Sequence, residues 1–258
     1  MSGLQFRTKP SGLPVLSKYE LDELAEEQLR QFAPKALQEP SAIDVDSFAL
    51  VQLGMHQEFW HLSHNGVYLG MTVFNDTDRL PIYDPKTKRA EYISVRANTM
   101  LLEADLAEDG NANRYRFTVA HEAGHSCLHT DYCLRSCPDA TAARSEGEPA
   151  LIRCRVENFA FRKPLGEWTD ADWLEWQANH FASSLLMPRS MVFKLVSWDN
   201  DKRDEIWAAA SICRVANVFE VSRQAAEIRL RDVGLLNSFT AGDIAFGMDF
   251  MGDRALPR

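Results

Sequence analysis

A His-Glu-x-x-His motif at residues 121–125 constrains this chain more than any other feature of its sequence. Two histidines four residues apart lie on one face of an α-helix, so the motif specifies a local structure as well as a chemistry. On that face His121 and His125 can bind the same metal ion, with ring nitrogens about 2.0–2.1 Å from it. Glu122, one residue further round the helix, can take a proton from a water molecule at the ion and activate it for attack on a peptide carbonyl. The motif predicts a zinc-dependent hydrolytic site.

Chance is the simplest alternative explanation of this motif. A chain of 258 residues with seven histidines would contain it by accident in roughly one case in a hundred. Gly124 makes accident less plausible, because glycine inside a helix costs about 1 kcal/mol relative to alanine. Such a glycine is usually retained where another backbone or a ligand approaches closely. We therefore favour a metal site over a coincidental core helix.

A catalytic zinc ion usually has three protein ligands and one open position, so a third ligand is needed. The candidate carboxylates lie on a long helix predicted to begin after Thr169. Glu175 is the candidate on this helix, and Asp170 and Asp172 are rivals from the same region. Spacing alone does not favour Glu175 over Asp172.

Three segments of the chain closely resemble the ImmA/IrrE family of metallopeptidases. They are RFTVAHEAGH at residues 116–125, E-x-x-A-N-x-F-A-x-x-L-L-M-P at 175–188, and VS-x-x-A at 221–225 followed by RL at 229–230 and GL at 234–235. The likeness is strong over roughly residues 91–235 and weak before them. It implies a zincin-like fold in which His121, His125 and Glu175 bind Zn²⁺ and Glu122 is the general base.

The resemblance also implies a class of substrate. Family members act on DNA-binding repressors of the helix-turn-helix type, often encoded beside them, and cleavage relieves repression of stress, defence or mobile-element genes. We therefore expect a zinc-dependent endopeptidase that cleaves such a repressor. The alternative is a non-proteolytic regulator that binds DNA or sequesters the repressor and holds its zinc ion structurally.

The expected fold class is α+β, with a small, mainly antiparallel sheet and helices in a zincin-like core, followed by a helical segment that resembles a helix-turn-helix. Periodicity predicts strands over residues 55–60, 67–74, 91–95 and 152–161, and a turn region with two prolines over 76–88. Predicted helices begin after Ser17, at residue 44 or 46, and at residues 98, 114, 169, 191, 205 and 223. The predicted divisions are residues 1–90, the peptidase core 91–190 with an irregular insertion at 130–167, helices at 191–236, and a tail at 237–258.

That insertion and its flank contain four cysteines, which depart from the family pattern: Cys127, Cys133, Cys137 and Cys154. His129, Cys133, Cys137 and Cys154 together could form a second, structural zinc site. Alternatively, one cysteine could bind the open position of the catalytic zinc as a thiolate and keep the enzyme latent. Plain thiols are the third interpretation, and the x3 spacing, looser than C-x2-C, favours it.

Charge and composition restrict the partners of the chain. A net charge of -9 argues against non-specific binding to nucleic acid. The turn at Val221-Ser222 is similar to that of a helix-turn-helix, but Arg223, Arg229 and Arg231 alternate with acidic residues, which favours packing or substrate docking over DNA binding. The remaining candidates are His180, Tyr115 and Tyr132 as oxyanion stabilisers and tryptophans at positions 168, 173, 176 and 198 as packing residues.

No secretory signal or membrane-spanning apolar stretch is visible in the sequence. The five cysteines are an odd number, which favours thiols or metal ligands over a set of disulfides. We expect a cytoplasmic protein.

Overall fold

The computed structural model of the chain describes residues 6–108, 110–136, 150–155, 167–196, 204–241 and 244. The chain forms two compact units, Met1–Glu23 with Asp44–Ala182 and Leu24–Ile43 with Ser183–Arg258. Helices and small sheets are both present, in agreement with the predicted α+β class.

The first unit contains the strands of the described part of the chain. They are β1 (Arg7–Thr8), β2 (Pro14–Val15), β3 (His56–Trp60), β4 (Tyr68–Val73), β5 (Thr77–Asp84), β6 (Arg89–Val95), β7 (Thr99–Glu103) and β8 (Leu151–Arg155). The largest sheet has the order β3-β7-β4-β8, while β1 pairs with β2 and β5 with β6. Only β3 and β7 are parallel among these pairs, so the prediction of a mainly antiparallel sheet is confirmed.

The helix predicted from residue 98 is wrong. Residues Thr99–Glu103 form β7, which lies between β3 and β4 in the sheet and is buried along its whole length. The segment Met-Leu-Leu-Glu has good intrinsic helix propensity, but a central strand buried on both faces also accepts a continuous apolar run. Tertiary context therefore overrides the local preference.

The turn region predicted at residues 76–88 is also partly wrong, because most of it is strand β5. Pro81 lies inside β5, opposite Tyr92 of β6. A proline cannot donate to a ladder, but Pro81 lies two residues before Tyr83, whose backbone NH points away from β6 and donates to the His61 carbonyl over 2.8 Å. The missing NH of Pro81 therefore faces away from the β5–β6 ladder. The true turn is confined to the residues between Asp84 and Arg89, where Lys88 has a positive φ of 57°.

Strand β4 separates two environments within the first unit. Met71 and Val73 enter an apolar cluster with Leu80, Val95 and Leu101. Alternate residues of a strand point to opposite faces, so Gly70 and Thr72 face the other side of the sheet. The Thr72 hydroxyl there contacts Glu122, which belongs to the helix packed on that side.

That helix, α3 (Ala112–Ser136), is the longest helix of the described chain. The two preceding helices are α1 (Lys18–Phe32) and the short α2 (Val45–Ser47), which continues as a π-helical turn over Phe48–Gln52. The capping box predicted at Ser17 is confirmed: the Glu20 backbone NH donates to Ser17 Oγ over 3.3 Å, and the Ser17 NH donates to Glu20 Oε2 over 2.7 Å.

Helix α4 (Asp170–Leu186) follows the insertion and begins as predicted. The Thr169 backbone NH donates to Asp172 Oδ2 over 2.9 Å, and the Asp172 NH donates back to Thr169 Oγ1 over 3.2 Å. This reciprocal pair caps the first turn of the helix. Helix α4 thus starts at a fixed point, which sets which of its residues face α3.

The second unit is helical in its described part. It contains a 3₁₀ turn (Pro34–Leu37), α5 (Arg189–Val196), α6 (Glu205–Phe219) and α7 (Arg223–Asp232). These bounds confirm the three helices predicted after residue 190. None of the described helices is both long and apolar enough to cross a membrane.

Candidate metal centre

Helices α3 and α4 bring three potential ligands to one point. The Nε2 atoms of His121 and His125 are 2.9 Å apart, and each lies 3.5 Å from a carboxylate oxygen of Glu175. Both imidazoles are fully buried, and Glu175 is 7% exposed. Two ring nitrogens and one carboxylate directed at a common point are a typical set of protein ligands for zinc.

The other ring nitrogen of each histidine has its own partner. His121 Nδ1 lies 2.9 Å from Asn179 Oδ1, and His125 Nδ1 lies 2.9 Å from His129 Nδ1. A proton on each Nδ1 satisfies both contacts, provided that His129 carries its own proton on Nε2. This tautomer leaves the two Nε2 lone pairs free for a metal ion, which is the arrangement that metal-binding histidines adopt.

Burial favours the neutral form of two histidines in this cluster, His121 and His129. It is the main cause that lowers the pKa of His121 to about 4, and the neighbouring His125 lowers it further, against Glu175 and Asn179. The pKa of His129 is also well below its usual value, first through burial and then through His125 and His121. Neutral imidazoles are the form that binds metals.

Gly124 permits the close approach of the two helices. A β-carbon at this position would lie 3.2 Å from Phe181 Cδ1 and 3.3 Å from the Ala178 carbonyl oxygen, both on α4. The expectation that this glycine marks a close backbone approach is confirmed. The same approach brings Glu175 to the two histidines.

Glu122 is held against the sheet rather than exposed to solvent. Its Oε2 accepts a 2.6 Å hydrogen bond from the Thr72 hydroxyl, while its Oε1 is buried without a hydrogen-bond partner. Burial raises the pKa of Glu122 well above its ordinary value; the Thr72 hydrogen bond opposes this rise, and the charge of Glu175 adds to it. A carboxylate with a raised pKa can both take and return a proton near neutral pH.

The space that Glu122 occupies exists because residue 70 is glycine. A β-carbon at Gly70 would lie 2.3 Å from Glu122 Oε1, well inside the contact distance. The sequence did not point to Gly70 or Thr72, since both are about 50 residues away from Glu122 and neither belongs to a local motif. A strand-helix contact of this kind is fixed only by the fold.

Cys154 of β8 also lies at the centre. A nitrogen of His121, a carboxylate oxygen of Glu122 and Cys154 Sγ are all within 4.8 Å of one another. The thiol is a free cysteine, 2% exposed. Its pKa is raised, chiefly by burial and then by the charges of Glu122 and Glu175.

The other ligands suggested for a second zinc site are arranged differently. His129 contacts His125, and Cys133 packs with Phe74 and Ala150 in an apolar cluster. Neither residue belongs to a group of three ligand atoms with metal-site spacing in the described ranges, and Cys137 lies outside them. The structural zinc site at these residues stays a prediction.

The rivals of Glu175 have other roles. Asp172 caps α4, and Asp170 binds Lys9 Nζ over 2.9 Å and accepts from the Tyr132 hydroxyl over 3.1 Å. The structure therefore brings Glu175, not Asp170 or Asp172, to the histidines.

The suggested oxyanion stabilisers have partners of their own as well. The Tyr115 hydroxyl donates to Asp46, and His180 Nε2 lies 3.5 Å from Asp22. Three of the four tryptophans, at positions 168, 173 and 176, pack against one another with ring centroids 5.0–5.9 Å apart, and Trp198 is outside the described residues. Tryptophan packing is therefore confirmed for these three, and no oxyanion stabiliser is identified.

A buried His, His, Glu cluster with an adjoining buried carboxylate, in a mixed helix-and-sheet fold, is an arrangement typical of metallopeptidases. The model of peptidase family M78, described as the IrrE N-terminal-like domain, matches residues 83–231, and the chain belongs to that family. This confirms the resemblance noted in the sequence. No curated protein is similar enough to the chain to count as a match.

Proposed function

We propose that the chain is a zinc-dependent endopeptidase, with His121, His125 and Glu175 as the metal ligands and Glu122 as the general base. The observation that carries this proposal is the convergence of three ligand atoms beside a buried carboxylate oxygen without a partner. Membership in a peptidase family supports the same reaction class. In this proposal the ligand set is of the gluzincin type and the core is zincin-like.

The residues present fit a divalent metal ion. Two imidazole nitrogens and a carboxylate oxygen suit zinc better than magnesium or calcium, which prefer oxygen ligands alone. When bound, such an ion supplies the Lewis-acid chemistry that makes water nucleophilic near neutral pH. Asn179 and His129 contact the Nδ1 atoms of the two imidazoles, and protons on these Nδ1 atoms would leave both Nε2 atoms for the ion.

Glu122 performs the proton transfers in this scheme. Thr72 donates to one of its carboxylate oxygens, Oε2, and leaves the other, Oε1, for the proton transfers. Oε1 takes the proton of the attacking water and then delivers it to the departing amine nitrogen of the cleaved peptide. The raised pKa of Glu122 suits both steps, since a stronger base accepts a proton more readily and the resulting acid remains protonated long enough to donate it.

We further propose a helix-turn-helix repressor as the substrate, on the strength of the family resemblance. The rival proposal, DNA binding through the helix pair α6–α7, has less support from the arginines of α7. Arg229 is buried and donates to the Met187 carbonyl over 3.0 Å, and Arg231 donates to Glu227 and to the Phe239 carbonyl. Only Arg223 of the three is exposed and remains available for a phosphate.

The proposed function is tested by incubating the purified chain with a helix-turn-helix repressor encoded beside its gene, with added Zn²⁺. We expect the wild-type chain to cleave the repressor and Glu122→Gln to bind as much zinc without cleaving it. Cleavage by Glu122→Gln would refute the role of this carboxylate. A repressor bound by the wild-type chain but still intact after prolonged incubation would support sequestration instead.

A further inference from the structure

We propose that Cys154 is a fourth ligand of the metal centre, and that strand β8 thereby holds the peptidase in a latent state. The proposal rests on the proposed function, because it concerns the coordination position that a hydrolytic metal ion must keep open. It assigns a role to one cysteine and leaves Cys127, Cys133 and Cys213 as plain thiols.

The position of Cys154 is fixed by the sheet. In the antiparallel pairing of β4 with β8, Cys154 stands opposite Gly70, the residue whose missing side chain makes room for Glu122. Directly paired residues of neighbouring strands point to the same face, so Cys154 points to the face on which α3 lies. Its Sγ lies within 4.8 Å of a nitrogen of His121 and of a carboxylate oxygen of Glu122, so the group that contains Cys154 shares His121 with the group of three ligands.

A second observation marks this point as a ligand position. Glu122 Oε1 is fully buried and has no hydrogen-bond partner, although the neighbouring Oε2 is bound by Thr72. A buried carboxylate oxygen without a partner is costly, and a bound water molecule, an ion or a catalytic role accounts for such a group. Cys154 Sγ adjoins this carboxylate, with one carboxylate oxygen of Glu122 within 4.8 Å.

The strand that carries Cys154 resembles a bound peptide in its pairing. Leu151–Arg155 adds to the edge of β4 as an antiparallel strand, with four residue pairs in register from Gly70 to Val73. Extended peptides bind to open sheet edges in the same way. Strand β8 therefore covers the edge of β4 that β7 leaves open, and in this proposal the substrate peptide adds to that edge in the active state.

Formation of the latent state needs no oxidant or reductant. The Cys154 S–H bond breaks, its proton passes to Glu122 Oε1 and then to solvent, and a metal–sulfur bond forms. Activation is the reverse: the thiolate leaves the metal and takes a proton, and water fills the vacated position. Any event that draws β8 from β4 favours activation.

The test is X-ray absorption spectroscopy of the zinc-loaded full chain. We expect one sulfur neighbour at about 2.3 Å in addition to nitrogen and oxygen neighbours at about 2.0–2.2 Å. Cys154→Ser should bind zinc and lose the sulfur neighbour. Cys133→Ser is the matched control, because Cys133 is also a buried thiol of this unit but belongs to the cluster with Phe74 and Ala150. The zinc ion in Cys133→Ser should keep its sulfur neighbour.

A second measurement follows the latency itself. Cleavage of the repressor by Cys154→Ser should be about tenfold faster or more, because a competent state populated at about 10% or less lowers the observed activity to that fraction of the full value. Cys133→Ser should cleave at the wild-type rate.

Three outcomes would overturn the inference. Coordination of zinc by nitrogen and oxygen atoms alone in the wild-type chain would refute Cys154 as a ligand and would leave the proposed function intact. A sulfur neighbour that persists in Cys154→Ser would assign the ligand to another cysteine. Failure of every variant to bind zinc would overturn the proposed function and this inference with it.

Discussion

The replacement of Gly70 by alanine tests how the sheet positions the general base. A β-carbon there would lie 2.3 Å from Glu122 Oε1, 2.8 Å from Cδ and 2.9 Å from Cγ, whereas ordinary contact begins at 3.4 Å. The carboxylate must therefore move by about 1 Å, and such a displacement of a catalytic group can cost about 100-fold in rate. Thr72, which binds the other oxygen over 2.6 Å, opposes a rotation that would absorb the clash.

The assay is kcat/KM for repressor cleavage together with the zinc content of the same preparation. We expect Gly70→Ala to lose about 100-fold in kcat/KM and to keep its zinc, because the substitution touches no ligand. The measurement is made in the Cys154→Ser background as well, so that latency does not conceal the effect. Retention of zinc separates this result from general misfolding.

Gly124→Ala is the matched comparison, since the same substitution on α3 meets Phe181 and Ala178 rather than Glu122. It should weaken zinc binding by pushing α4 and Glu175 away, with a smaller loss of rate per bound zinc ion. A Gly70→Ala enzyme whose kcat/KM stays within about threefold of the wild-type value would refute the reasoning, since so small a change leaves transition-state stabilisation intact.

Three further substitutions test separate parts of the centre. Thr72→Val removes the hydrogen bond that lowers the pKa of Glu122. The pKa of Glu122 should therefore rise, and the acid limb of the pH profile of kcat/KM should move to higher pH. Thr72→Ser keeps a hydroxyl and should leave the acid limb in place. Glu175→Gln should lose zinc, as measured by equilibrium dialysis. Asp172→Asn should keep its zinc and lose only about 1 kcal/mol of unfolding free energy, because it weakens the cap of α4. The opposite pattern would exchange the roles of the two residues. His129→Ala should weaken zinc binding about 10–100-fold in competition with a chelator, since it removes the partner of a ligand, and an unchanged affinity would show that this contact is dispensable.

The sequence was sufficient for the features that depend on local spacing. The i, i+4 separation of His121 and His125 predicts their shared helix face, and the capping pairs at Ser17 and Thr169 predict where α1 and α4 begin. These inferences hold because the interacting groups are within one or two helical turns of each other. Spacing alone left Glu175 and Asp172 undecided, and the family resemblance was needed to choose between them.

The tertiary structure decided what depends on contacts between distant segments. It turned the helix-prone residues Thr99–Glu103 into a central strand, since burial on both faces outweighs a propensity of a few tenths of a kcal/mol per residue. It also placed Gly70 and Cys154 beside Glu122, although one is 52 residues before it and the other 32 residues after it. Strand register sets which side chain meets the base, and register is a property of paired strands that a single segment does not contain.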